Sequence, residues 1–246
     1  MSHIIKLTIA YDGTNYNGWQ RQKNGPSIQE EIEKSVEKVF KKRVTIYGAG
    51  RTDAGVHAKK QVAHFNTDLA IPAKKVVYAL NSVLPPDISV IKAEYAKAGF
   101  HAQYDAKQKT YRYFIHASRS RDPFISRYAW TVPYRLDLEA MKAGAKALAG
   151  KHDFRSFQAK DKKDRSSVRT VYGISIKKKS SVISIDITAD GFLYNMVRNI
   201  VGTLVDVARG YIPADRMKKI ILAEDRAKAG PTAPPEGLFL MEVSYR

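Results

Sequence analysis

The chain has 246 residues, of which 44% are hydrophobic, enough apolar side chain for one large domain or two of ordinary size. It contains no cysteine, which excludes disulfides, thiolate zinc sites and a cysteine nucleophile, and which fits a reducing compartment. The formal net charge of +18 favours a phosphate-rich partner, although charge alone does not separate RNA from DNA or from an anionic membrane surface.

The first half of the chain alternates predicted strands and helices. Residues 3–11 alternate apolar and polar side chains, which is the period of a strand with one buried face. Residues 27–30 have the form of a capping box, and Ile28, Ile32 and Val36 then fall on one helical face. The predicted elements are strand 3–11, helix 28–40, strands 44–47 and 61–65, helix 72–84 and strand 88–93.

The second half repeats this order of elements. Its helix over 137–149 has Gly150 placed as a C-cap, and residues 177–181 form the tip of a predicted hairpin. The predicted elements are strand 109–115, helix 137–149, strands 168–176 and 182–187, helices 192–209 and 214–223, and strand 238–243.

A βαββαβ order that occurs twice predicts an α+β fold of two tandem ferredoxin-like halves, residues 1–106 and 107–246. The repeat lies in the order of elements and not in the residues themselves. We expect mainly antiparallel sheets with helices on one face, and an active-site cleft between the halves.

No targeting or membrane segment is evident in the sequence. Residues 1–11 lack the apolar run of a signal peptide, and no stretch approaches the roughly 18 apolar residues of a membrane span. We therefore expect a soluble, cytoplasmic protein with no membrane partner.

Residues 48–58 form a loop with three glycines and three chemically active side chains, Arg51, Asp53 and His57. Glycines allow a tight turn and the close approach of a large ligand. The loop is not a phosphate-binding P-loop, because no Gly-Lys-Ser/Thr follows. Taken alone, it fits either a ligand site or a plain turn in which Asp53 caps local N–H groups and pairs with Arg51.

The residue pattern alone does not decide the roles of two further segments. Residues 190–202 carry an apolar stripe that includes Leu193, with Arg198 near its edge, where an arginine either extends to water or pairs with a carboxylate. Tyr111 and Tyr113 share one face of a predicted strand. Such aromatic side chains pack in a core or, beside basic residues, stack on nucleobases.

Taken together, motifs along nearly the whole chain resemble the tRNA pseudouridine synthase A family. The set is specific because of its order rather than because of any single motif. These motifs are Tyr11-Asp12-Gly13-Thr14, Gly18-Trp19-Gln20-Arg21-Gln22, Gly50-Arg51-Thr52-Asp53-Ala54-Gly55-Val56-His57-Ala58, Ala79-Leu80-Asn81 with Leu84-Pro85, Phe100-His101-Ala102, Lys109-Thr110-Tyr111-Arg112-Tyr113, His152-Asp153-Phe154 with Ser156-Phe157, and Phe192-Leu193-Tyr194-Asn195-Met196-Val197-Arg198 with Gly202.

The resemblance implies an isomerase that converts uridine to pseudouridine at positions 38, 39 and 40 of the tRNA anticodon arm. It implies that Asp53 is the catalytic carboxylate and nucleophile, that Arg198 pairs with it and that Tyr111 stacks on the target uracil. We expect Arg51, His57 and Leu193 also to contact the substrate. The resemblance further implies a homodimer that needs no metal and no organic cofactor.

Basic side chains outside this site are candidates for phosphate contacts. Residues 151–181 contain ten Lys and Arg against three Asp and Glu, which fits either an RNA-binding segment or a solvated hairpin tip. The predicted RNA-binding residues are Arg21, Arg119, Arg121, Lys160, Lys162, Lys163 and Arg165, and Arg51 and Arg127 are further candidates to line a groove.

Two rival functions fit parts of the sequence. A non-catalytic RNA-binding protein of the RRM type shares the ferredoxin-like element order, but residues 61–66 lack the Lys/Arg-Gly-Phe start of its aromatic signature. A metal-dependent nuclease built from Asp53, His57, His64 and Asp68 fits by residue type, yet these residues match no known ligand spacing.

Overall fold

The computed structural model describes residues 3–160 and 166–245. The chain divides into two compact units, unit 1 over Met1–Lys107 with Phe239–Arg246, and unit 2 over Gln108–Leu238. Both units combine helices with strands that pair mainly in antiparallel fashion, which confirms the predicted α+β class.

The described residues of unit 1 form five strands and two α-helices. Its strands pair in the order β4-β1-β3-β10, with the short β2 also on β3. Strand β1 is antiparallel to β3 and β4, whereas β10 is parallel to β3 through Phe239 and Leu240. The elements are β1 (His3–Tyr11), α1 (Ile28–Phe40), β2 (Tyr47–Gly48), β3 (His57–Thr67), α2 (Ala73–Asn81), β4 (Ile88–Ala96) and β10 (Leu238–Ser244).

The start of α1 shows how local sequence determines an element. The Glu30 N–H donates to the Ser27 hydroxyl oxygen at 3.4 Å, which satisfies one of the N–H groups that a helix start leaves without a partner. The apolar face of Ile28, Ile32 and Val36 is fully buried. The predicted N-cap and buried face are therefore confirmed.

The described residues of unit 2 form five strands and three α-helices. Its strands pair in the order β5-β9-β8-β7, all antiparallel, with β6 parallel to β5. Helix α3 packs against α4. The elements are β5 (Gln108–Ala117), β6 (Trp130–Val132), α3 (Leu138–Lys146), β7 (Gly150–Asp153), β8 (Val168–Lys179), β9 (Val182–Ala189), α4 (Met196–Ala208) and α5 (Arg216–Ala223).

Several boundaries in unit 2 differ from the prediction. Helix α4 begins at Met196 rather than at residue 192, because Asn195 adopts a left-handed backbone with φ 58°. Gly150 is not the C-cap of α3, which ends with Ala147 as its cap, and instead begins β7 with φ 105°. Strands β6 and β7, of three and four residues, were not predicted.

The closing strand β10 returns to unit 1, although residues 107–246 were predicted to form the second half. The Lys107 N–H donates to the Ser244 carbonyl oxygen at 2.8 Å, and the Tyr245 hydroxyl donates to the Ala102 carbonyl oxygen at 2.7 Å. None of the helices formed by the described residues combines the length and apolarity needed to span a bilayer.

Candidate active site

Asp53 lies in unit 1 on a turn of residues 52–56, here called the Asp53 turn. The Val56 N–H donates to the Asp53 carbonyl oxygen at 3.1 Å and closes the turn. The Trp19 N–H donates to the Thr52 carbonyl oxygen at 3.0 Å, and the Gly55 N–H donates to the Tyr16 carbonyl oxygen at 3.2 Å. Asp53 is half-buried while Thr52 and Val56 are buried, so a partly exposed carboxylate stands on a fixed backbone.

Gly18 explains why the segment before α1 can lie so close to the Asp53 turn. Its φ of +91° is a conformation that residues with a Cβ rarely adopt. A Cβ on Gly18 would overlap the Thr52 carbonyl oxygen and would lie 2.9 Å from the Asp53 carbonyl carbon. The glycine therefore allows two stretches of backbone to touch directly beside the carboxylate.

Two buried side chains support the Asp53 turn from within unit 1. The Tyr11 hydroxyl and the Thr52 hydroxyl share a hydrogen bond of 2.8 Å, and burial raises the pKa of Tyr11, so its phenol stays neutral. The His57 ring is 1% exposed and stacks on Phe239 with 4.5 Å between ring centroids. This burial favours a supporting role for His57, and its predicted substrate contact stays a prediction.

The Nδ1 atom of His57 has two polar neighbours that need opposite protonation states. The Gly13 N–H lies 3.0 Å away, where it donates if Nδ1 carries no proton. Asp12 Oδ1 also lies 3.0 Å away and accepts only if Nδ1 is protonated. Both partners belong to the Tyr11-Asp12-Gly13-Thr14 motif, so this motif fixes the ring that follows the Asp53 turn.

Arg198 lies in unit 2, in the first turn of α4. Its Nε donates to the Ala233 carbonyl oxygen at 2.7 Å and its Nη1 donates to the Asn195 side-chain oxygen at 3.1 Å. In return, the Ala233 N–H donates to the Arg198 carbonyl oxygen at 3.1 Å. The guanidinium is therefore held by protein acceptors and does not simply extend to water.

A set of polar side chains, here called the α4 network, holds the chain that carries Ala233, and two of its members, Asn199 and Thr203, are fully buried. It consists of Asn199, Thr203, Arg226 and Thr232. The Asn199 side-chain oxygen accepts from Arg226 Nη2 at 3.0 Å and from the Thr232 hydroxyl at 2.6 Å, while its amide donates to the Phe157 carbonyl oxygen at 2.8 Å. The Thr203 hydroxyl accepts from the Gly230 N–H at 2.9 Å. Residues 226–233 are therefore tied to α4 along their length.

Gly202 permits this close packing, because a Cβ there would overlap the Pro231 carbonyl oxygen. Gly202 closes one of the sequence motifs, whereas no role was predicted for Asn199 or Arg226. A signal was present, since Asn199 is a polar residue directly before the apolar stripe residues Ile200 and Val201 and is fully buried.

The remaining predicted substrate contacts of unit 2, Tyr111 and Leu193, are largely buried. Tyr111 is 7% exposed, and its ring meets Phe192 edge to face with centroids 5.0 Å apart. Leu193 is 9% exposed. The pairing of Asp53 with Arg198 and the stacking of uracil on Tyr111 stay predictions.

The predicted RNA-binding residues are mostly exposed where the structure describes them. Arg21, Arg119, Arg121 and Lys160 are exposed, as are Arg51 and Arg127. Arg21 Nη1 lies 3.5 Å from a Glu33 carboxylate oxygen. Lys162, Lys163 and Arg165 lie outside the described residues.

Within residues 3–160 and 166–245, no group of three or more His, Asp or Glu side chains is placed to hold a metal ion. His64, one of the residues of the nuclease hypothesis, instead accepts a hydrogen bond from the Ala102 N–H at its Nδ1, 3.1 Å away. Asp68 pairs with Lys42 at 2.9 Å.

Comparisons with known proteins agree with the resemblance seen in the sequence. The model of a family described as tRNA pseudouridine synthase matches residues 7–105 and 145–246. A tRNA pseudouridine synthase A of Thermoanaerobacter sp. (strain X514) is 48% identical over 241 residues, which cover 98% of this chain and 99% of that protein. The protein of the same name from Bacillus subtilis (strain 168) is 45% identical over 243 residues, 98% of each chain.

Among solved structures, a Cbf5-Nop10-Gar1 complex is similar over 96% of this chain and 48% of the matched chain, with 13% identity and a TM-score of 0.41. A likeness at that level carries no argument about function.

Proposed function

This chain belongs to the tRNA pseudouridine synthase family, and we propose that Asp53 is the nucleophile with which it isomerises uridine at positions 38, 39 and 40 of the anticodon stem-loop. The observation that carries this proposal is the Asp53 turn, which presents one carboxylate on a backbone fixed by hydrogen bonds to Tyr16 and Trp19.

The reaction requires no redox cofactor. It breaks the C–N glycosidic bond of uridine, turns the uracil and makes a C–C bond to the same ribose, with no net oxidation or reduction. An ionised carboxylate at the ribose or at the uracil ring can form the covalent intermediate that divides this exchange into two steps. Asp53 meets the requirement as long as it carries its negative charge.

Arg198 is the cation that we propose to hold Asp53 in its ionised form. A nearby guanidinium favours the charged form of a carboxyl group. A guanidinium has five N–H donors, and the contacts to Ala233 and Asn195 use two of them, so the same group can also pair with a carboxylate. Those two contacts fix the position of the positively charged Arg198 guanidinium.

Tyr111 and the basic residues complete the proposal for the substrate. The target base must leave its stack before it can react, and stacking on Tyr111 would offset this by about 1–3 kcal/mol. Arg51 is proposed to contact the RNA beside Asp53. Phosphate contacts are proposed for Arg21, Arg119, Arg121, Lys160, Lys162, Lys163 and Arg165. We also propose a homodimer that works in the cytoplasm.

The test is to incubate the protein with an unmodified tRNA transcript and to map pseudouridine by position. Asp53→Asn keeps the shape of the side chain and should lower the rate on the order of 10⁴-fold or more, while tRNA binding survives. Asp68→Asn is the matched control, an acidic residue on the surface of the same unit, and should leave the rate unchanged.

The rival functions give different results in this experiment. An RNA-binding protein without activity forms no pseudouridine at all, and Asp53→Asn then changes nothing. A metal-dependent nuclease cleaves the transcript until a chelator is added. Undiminished isomerisation by Asp53→Asn would refute the proposed nucleophile.

A further inference from the structure

The loop of residues 118–129, between β5 and β6, is an ordered structure. Both of its ends are anchored, because β6 pairs with β5 and the Ser118 N–H donates to the Val132 carbonyl oxygen at 3.2 Å. Within it, the Ser126 N–H donates to the Asp122 carbonyl oxygen at 2.8 Å, and Arg121 Nε donates to the Ser126 hydroxyl at 3.1 Å. The loop is therefore held in one conformation by its own hydrogen bonds.

This ordered loop presents a large aromatic side chain to solvent. Phe124 is 89% exposed, the highest value among the exposed large hydrophobic residues of the described chain. Its own N–H donates to the Asp122 carboxylate at 2.8 Å, which fixes the backbone from which the ring projects. An exposed apolar ring on an ordered backbone presents a contact surface before any partner arrives.

The charges around Phe124 indicate which partner fits. Arg119, Arg121 and Arg127 are all exposed on the same loop. Asp122 is the one acidic residue in this stretch of sequence, and its carboxylate accepts the Phe124 N–H. Three cations on the same loop as an exposed aromatic ring suit a nucleic acid, in which phosphates lie on either side of bases that can stack.

We propose that Phe124 stacks on an unpaired base of the tRNA substrate while the arginines of the same loop contact the flanking phosphates. The inference rests on the proposed function, since it takes tRNA as the substrate, and it adds an aromatic contact distinct from the one proposed for Tyr111. A second copy of this chain is a poorer occupant, because two such loops would bring six arginines together.

The test measures equilibrium binding of an unmodified tRNA transcript at several salt concentrations. Phe124→Leu keeps an apolar side chain but removes the ring, and should weaken binding by about 5- to 150-fold. Phe124→Trp keeps a ring and should retain the wild-type affinity. Leu222→Ala, an exposed apolar residue on α5, is the control for the loss of surface hydrophobicity.

The salt dependence of tRNA binding distinguishes the contribution of the Phe124 ring from that of the arginines. Phe124→Leu removes no phosphate contact, so the slope of log affinity against log salt should match the wild type. Arg121→Ala should make that slope less steep by about 1. Thermal unfolding of each variant checks that the fold is intact.

Two outcomes would overturn the inference. One is equal affinity for the Leu and Trp variants, whether both match the wild type or both fall. The other is a Phe124→Leu variant that binds tRNA normally but sediments as a smaller species, which would assign the ring to contact between copies of the chain. Neither result depends on isomerisation, so the mapping experiment with Asp53→Asn judges the proposed function separately.

Discussion

The Asp53 turn of unit 1 and the α4 network of unit 2 both fix a charged side chain, but they do so with different parts of the chain. Around Asp53 the contacts run from backbone to backbone. Gly18 lets the segment before α1 touch the backbone of the Asp53 turn. Around Arg198 the segment that carries Ala233 is held to α4 by side chains, with the buried Asn199 at their centre. A backbone contact tolerates changes of side chain except where a glycine is required, whereas a side-chain network depends on the identity of every member.

Substituting Gly18 tests the first half of this comparison and should have the largest effect. Gly18→Ala combines an unfavourable φ with an overlap at Thr52, so we expect a loss of about 2–4 kcal/mol in unfolding free energy. We also expect a large fall in the rate of isomerisation, because the Asp53 turn must shift. Chemical denaturation and single-turnover kinetics measure the two effects.

Gly99→Ala is the matched control for Gly18→Ala. Gly99 also has a positive φ, +77°, but a Cβ there would meet nothing within 4 Å. It should show the backbone cost alone and keep the rate of isomerisation. Equal losses from both variants would mean that contact with the Asp53 turn contributes nothing.

Gly202→Ala applies the same reasoning to unit 2. A Cβ there pushes the Pro231 carbonyl away from α4, so we expect a cost of about 1–3 kcal/mol together with a displaced Ala233 and a lower rate. Gly144→Ala in α3, where a Cβ would lie 3.4 Å from a flexible Val207 methyl group, should be neutral or stabilising. A Gly202→Ala variant with wild-type stability would contradict the close approach.

Asn199 tests the dependence on side-chain identity. Asn199→Ala leaves the Thr232 hydroxyl and the Phe157 carbonyl without this buried partner, at an expected cost of about 1–3 kcal/mol. Asn199→Asp keeps the acceptor for Arg226 and Thr232 but loses the donor, so it should fall between alanine and the wild type. If the aspartate variant were no better than alanine, the hydrogen bonds to Arg226 and Thr232 would be unimportant.

His64 of unit 1 also holds a backbone group through its side chain, and its substitution should give the smallest effect. Burial, and then the neighbouring His101, lower the pKa of His64 below its ordinary value, and its Nδ1 accepts the Ala102 N–H. Between the ordinary value of about 6.5 and the lower folded value, the unfolded state binds more protons. Stability should therefore fall as pH drops below about 6.5.

His64→Gln should remove this part of the pH dependence, since an amide does not titrate there and its oxygen can still accept a hydrogen bond. Urea unfolding at pH 7.5 and pH 5.5 measures the loss of stability in the wild type and in the His64→Gln variant. The same loss of stability in both proteins would assign the acid sensitivity to other groups.

Local signals in the sequence predicted elements well where the partners are close in the chain. The Ser27 cap with Glu30, and the hairpin of β8 and β9, both depend on neighbours a few residues away. The left-handed Asn195 and the short strands β6 and β7 carry no comparable signal. The contact of Arg198 with Ala233 joins residues 35 apart, and the residue pattern left the role of Arg198 open.

Family resemblance rather than spacing predicted Asp53, Tyr111 and Arg198 as site residues. The residues that position them were harder to foresee. Gly18 appeared in a matching motif without a role, and only its φ and its contact with Thr52 show why an alanine does not fit. Asn199 and Arg226 are 27 residues apart, and their hydrogen bond is a property of the folded chain.

The return of β10 to unit 1 has a consequence for synthesis on the ribosome. The strand beside His57 is made after the whole of unit 2, because Phe239 is 182 positions later in the chain. A nascent chain with the Asp53 turn already translated still lacks the Phe239 ring that stacks on His57. Unit 2, which is continuous in sequence, has all its residues earlier, so the packing around the His57 ring is complete only after β10 has been made.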